Sequence, residues 1–90
     1  MGDRCVRALI SGTVQGVGFR YATQHQAKEL GVRGYVRNLP GQRVEAVFEG
    51  DDATLERALS FVRRGPPLAR VTEVEVESIS LQGFLDFEIR

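Results

Sequence analysis

Ninety residues, 42% apolar and 27% charged, suffice for one hydrophobic core but not for a cofactor domain beside a substrate domain, so a single domain over 1–90 is expected. Twelve basic side chains balance twelve acidic ones; with zero net charge, a broad electrostatic footprint for nucleic acid is excluded and any anion recognition must be local. No apolar run approaches the roughly 18 residues of a membrane span, and Met1-Gly2-Asp3-Arg4-Cys5 lacks a signal peptide's hydrophobic stretch, so a cytoplasmic protein with no membrane partner is expected. Cys5 is the only cysteine, which excludes an intramolecular disulfide and a cysteine-rich metal site; a small, buried strand residue is its expected role.

Val6, Ala8 and Ile10 alternate with Arg7, Leu9 and Ser11, the signature of a strand, before a glycine-spaced turn from Gly12 to Gly18. Phe19 to Leu30 is helix-compatible, with Phe19, Ala22, Ala27 and Leu30 as an imperfect apolar stripe and Gly31 placed to cap its C-terminus. Val32 to Leu39 reads as a second strand, Pro40-Gly41-Gln42 as a turn, and Arg43 to Glu49 as a third, with Val44, Ala46 and Phe48 opposite Arg43, Glu45 and Glu49. Asp51 or Asp52 can cap a second helix whose Leu55, Ala58, Leu59 and Val62 share one face, and Gly65-Pro66-Pro67 stops it. Val71 to Ile79 alternates valine with Glu73, Glu75 and Glu77, and a short last strand sets Leu85, Phe87 and Ile89 on one side.

The order is strand, helix, strand, strand, helix, strand, plus a short C-terminal strand. Because each strand is polar on one face, both helices must cover the same apolar side of one antiparallel sheet. The fold class predicted is a two-layer α+β sandwich of ferredoxin-like type. In the second strand Val32, Gly34, Val36 and Asn38 share the face turned to the helices, so Asn38 is expected near the start of the first helix, within reach of Arg20.

Thr13-Val14-Gln15-Gly16-Val17-Gly18-Phe19-Arg20 has the makings of an anion site. Glycines allow close backbone approach, a helix N-terminus offers unpaired N–H donors, and Arg20 adds a planar cationic fork. Taken alone, these glycines equally fit a tight strand-to-helix connection. A dinucleotide fingerprint is excluded because Tyr21 stands where its third glycine belongs, and a P-loop because no glycine precedes Lys-Ser or Lys-Thr. His25, the only histidine, reads as a surface helix residue rather than a base, and Glu73, Glu75 and Glu77 as a solvated strand face. No ligand cluster supports metal catalysis, and no cofactor is expected.

Gly12-Thr13-Val14-Gln15-Gly16-Val17-Gly18-Phe19-Arg20 followed by Gly34-Tyr35-Val36-Arg37-Asn38 closely resembles the acylphosphatase family. Further matches are Val44-Glu45, Phe48-Glu49-Gly50, Gly65-Pro66-Pro67 and the ending Phe87-Glu88-Ile89-Arg90. The resemblance implies a cytoplasmic, monomeric, metal-independent hydrolase of the carboxyl-phosphate bond of small-molecule acyl phosphates. It implies a phosphate cradle of backbone N–H groups from Gln15, Gly16, Val17, Gly18, Phe19 and Arg20, with the Arg20 guanidinium on the phosphoryl oxygens and Asn38 orienting the attacking water. Tyr35 stands where tryptophan is common, and Gly41-Gln42 replaces a frequent Asp-Gly turn. A non-catalytic phosphate-binding regulatory module on the same fold is the alternative, but it gives no reason for Asn38. An RNA-binding domain would need exposed aromatics on the sheet, for which only Tyr35 qualifies.

Overall fold

A computed structural model describes residues 2–90. The elements are β1 (Arg4–Thr13), α1 (Phe19–Leu30), β2 (Arg33–Leu39), β3 (Arg43–Gly50), α2 (Asp52–Arg64), β4 (Arg70–Ile79) and β5 (Phe87–Ile89), in one sheet of order β4-β1-β3-β2-β5. This is the ferredoxin-like βαββαβ arrangement predicted from the alternation. No helix among the described residues is long and apolar enough to cross a membrane.

Register explains the core. Val6 faces Phe48, Ala8 faces Ala46 and Ile10 faces Val44 across the β1–β3 ladder, so the even-numbered residues of both strands point to one side. There they meet Phe19 and Ala27 of α1 and Leu55, Ala58 and Val62 of α2, all buried. Full burial of each large apolar side chain contributes about 1.5–3 kcal/mol. Phe87 completes the layer by stacking on Phe48 at 5.7 Å between ring centroids. Cys5, expected as a buried strand residue, is 1% exposed.

Two differences from the sequence expectations arise at the C-terminus. Every ladder among the first four strands is antiparallel, but β5 lies parallel to β2, with Gly34 opposite Phe87 and Val36 opposite Ile89, so the sheet is mixed. The chain leaves β4 at one edge and crosses to the other before it can pair, and that crossing, not local pattern, sets the direction of β5. Leu85 does not join Phe87 and Ile89 in the core; it precedes the strand and is 97% exposed.

A third difference concerns the face away from the helices. Alternation places Glu45 and Glu49 on a solvated side, yet both are buried. The segment between β4 and β5 folds back over Glu49: the Gln82, Gly83 and Phe84 N–H groups donate to its carboxylate at 2.6, 3.0 and 3.0 Å, and Phe84 packs edge-on against Tyr35. Arg7 and Arg37 close on Glu45 from the flanking strands at 2.5 and 2.6 Å. Burial alone would raise the pKa of each acid. Hydrogen bonds from Arg37 and Arg7 outweigh it at Glu45, and the three backbone donors outweigh it at Glu49, so both carboxyls lie below the usual range.

Candidate active site

The cradle begins where β1 comes free. A register shift between Ser11 and Gly12 keeps β1 paired with β4 as far as Thr13, after which the chain bends through residues 15–18 into α1. Gly16 and Gly18 take left-handed conformations, φ 75° and 78°, that a side chain at either position would resist.

How the two helices start is informative. Asp51 caps α2, its carboxylate accepting from the Thr54 N–H at 2.8 Å, and Asp52 stands in the first turn. α1 has neither device: its cap is Gly18, no side chain accepts from its first turn, and no acid stands there. The positive end of the α1 dipole and its free N–H groups are therefore left for a ligand, an arrangement suited to an anion.

Val14, Gly16, Gly18, Phe19, Arg20, Tyr21 and Asn38 line one cavity of about 180 Å³ at this helix start. Period-two alternation correctly turned Asn38 to the helix side, and it meets Arg20 across the cavity wall from a different element. No carboxylate is among the lining residues. The volume suits a phosphoryl group with a small substituent, being below the roughly 300 Å³ at which drug-sized pockets begin.

The other expected site residues divide. Gln15 and Val17 belong to the bend but do not line the cavity: Val17 packs against the core, and the Gln15 side chain turns to the β2–β3 hairpin, a contact for which the sequence carried no signal. Tyr21 joins the wall although it is 71% exposed. Tyr35, which stands where tryptophan is common, lies on the opposite face of the sheet, with the Arg90 guanidinium 4.2 Å from its ring centroid. His25 is exposed on α1 away from the cavity, and among the described residues no three His, Cys, Asp or Glu side chains gather as a metal site.

A cradle of open N–H donors, an arginine and a neutral amide in an acid-free cavity define a site for an anionic group with room for a reacting neighbour. The acylphosphatase family model matches residues 6–89. An acylphosphatase of Syntrophobacter fumaroxidans is 51% identical over 90 residues, covering 99% of this chain and 93% of its own. Another, from Acaryochloris marina, is 48% identical over 85 residues, covering 94% and 91%. The solved structure of an acylphosphatase from Coxiella burnetii superposes with a TM-score of 0.94 at 35% identity, covering 99% of this chain and 94% of that one. The chain belongs to the acylphosphatase family.

Proposed function

We propose that the chain hydrolyses acyl phosphates to a carboxylate and inorganic phosphate, with the reaction centred on the cavity shared by Arg20 and Asn38. The observation that carries this reading is their meeting at the uncapped start of α1, in a cavity without a carboxylate. An anion sensor would account for Arg20 and the open N–H groups, but it leaves the neutral amide of Asn38 unused.

In this mechanism the backbone N–H groups of residues 15–20 and the Arg20 guanidinium hold the phosphoryl oxygens. They also stabilise the charge that spreads over those oxygens in the loose transition state of phosphoryl transfer. The Asn38 carbonyl accepts a hydrogen bond from water and aims it at phosphorus. A new P–O bond forms from water, the P–O bond to the acyl oxygen breaks, and its electron pair leaves as carboxylate. The water proton passes to a phosphoryl oxygen. Because a carboxylate is a weak base, departure needs no strong general acid, and the cavity wall supplies none.

The reading extends to one domain over 1–90 acting as a cytoplasmic monomer without cofactor. Phosphate release from benzoyl phosphate tests the activity, with and without excess chelator. Rapid release in both is expected, and a rate no faster than buffer would overturn the proposal.

A further inference from the structure

The two halves of the site sit on elements that the sheet itself does not join at this end. The β1–β3 ladder stops at Ile10 opposite Val44, while the β2–β3 hairpin continues to Leu39 opposite Arg43. From Ser11 to Thr13, β1 pairs only with β4, and residues 15–18 make a bend outside any strand. The cradle and the hairpin end that carries Asn38 therefore lack the ladder that would fix their separation.

One side chain spans that gap. The Gln15 carboxamide nitrogen donates both of its hydrogens, one to the Leu39 carbonyl and one to the Arg43 carbonyl, each at 2.8 Å. Leu39 follows Asn38 directly, and Leu39 and Arg43 are the pair that closes the hairpin. Among the described residues no other hydrogen bond joins the bend at 14–18 to this hairpin. The hairpin turn contains Gln42 at φ 63°, so its own backbone is not in a relaxed conformation.

We propose that Gln15 is a positioning residue: its carboxamide replaces the missing ladder and sets the distance between the phosphate cradle and Asn38. The role rests on the acyl phosphate reading above. The cradle holds the anion through backbone groups and Arg20, which Gln15's side chain does not touch, so its loss is felt in the aim of the water rather than in the grip on phosphate.

The test compares Gln15→Met, which keeps the length of the side chain without its donors, with Asn38→Ala and with the double variant. Readouts are kcat on benzoyl phosphate and competitive inhibition by inorganic phosphate. Gln15→Met is expected to lower kcat about 100-fold, with the phosphate inhibition constant changed less than about threefold. The double variant is expected to be within about threefold of Asn38→Ala alone, since the two act as a unit. Gln15→Asn, which keeps the donors one methylene short and serves also if Gln15→Met does not fold, is expected to fall between wild type and Gln15→Met. Loss of phosphate inhibition in step with kcat, independent effects in the double variant, or full activity of Gln15→Met each overturns the proposal. Separately from turnover, NMR of the wild-type protein should show slow exchange of the Gln15 side-chain amide hydrogens, and free exchange would contradict the clamp. If wild type releases no phosphate while those hydrogens are protected, the acyl phosphate reading fails and the clamp stands.

Discussion

Arg7 Nε lies 2.5 Å from Glu45 Oε2 across the face of the sheet opposite the helices, on a carboxylate whose side chain is only 3% exposed. A charge that dry is tolerable only with partners, and Arg37 supplies the second from β2 at 2.6 Å. Together they bind the two strands that flank β3, one leading into the cradle and the other into Asn38.

Replacing Arg7 by Met should therefore destabilise the fold although Arg7 is no part of the cavity. Glu45 keeps Arg37, and the long, exposed bond from Arg7 to Glu77 adds little, so the expected loss is that of the charge-assisted hydrogen bond to Glu45, about 1.5–3 kcal/mol, rather than that of an orphaned charge. Urea unfolding checks it, with the midpoint falling at unchanged slope.

Acid should unfold the protein through the same face. Glu45 and Glu49 have pKa values below the ordinary range in the fold, so the unfolded chain takes up protons first as pH falls. Their stabilisation is fully present above the unfolded carboxylate pKa of about 4.3 and is lost as pH drops through the lower folded values. Thermal melts from neutral pH downward should show a declining Tm below that point, and Glu49→Gln should flatten the decline. A decline of equal steepness in the variant would contradict the assignment.

These two acids mark the limit of what the sequence discloses. Val44, Ala46 and Phe48 identify the core face of β3 by alternation alone, and the same period turns Asn38 toward α1. Glu45 and Glu49 fall on the other face, where period two predicts solvent. Glu49 is covered by the return of Gln82, Gly83 and Phe84 from a distant part of the chain, and Glu45 is closed in by Arg7 and Arg37 from the flanking strands, neither of which a local pattern encodes. The Gln15 clamp was illegible for the same reason, its two acceptors being backbone carbonyls that any residue type would offer.

Arg20→Ala should lower kcat/KM by a factor of about 100 to 1,000, roughly 3–4 kcal/mol, as expected for removal of one preorganised donor. Arg20→Lys should recover little of this, because a point charge does not reproduce the planar fork on two oxygens. Phosphate inhibition should weaken in both variants, while Asn38→Ala should lower kcat and leave phosphate inhibition nearly unchanged. Comparing the inhibition constants with kcat separates the two roles.

Gly18→Ala should damage fold and cradle together. A side chain in the left-handed conformation at φ 78° costs about 1–2 kcal/mol, which in a domain of this size lowers Tm by roughly 5 to 15 °C. The added methyl meets no neighbouring atom, so strain rather than collision is the cause. Gly18→Asn should lose less of both stability and activity, since asparagine tolerates this conformation better; calorimetry with parallel rate measurements checks the order.

In the proposed mechanism water, held by Asn38, attacks the phosphorus of an acyl phosphate bound at Arg20. Turnover of acetyl phosphate in ¹⁸O-labelled water, followed by mass spectrometry of both products, tests it most directly. Enzyme-dependent release is expected, with the label in inorganic phosphate and none in acetate. Label in the acetate would place the attack on the acyl carbon and contradict it.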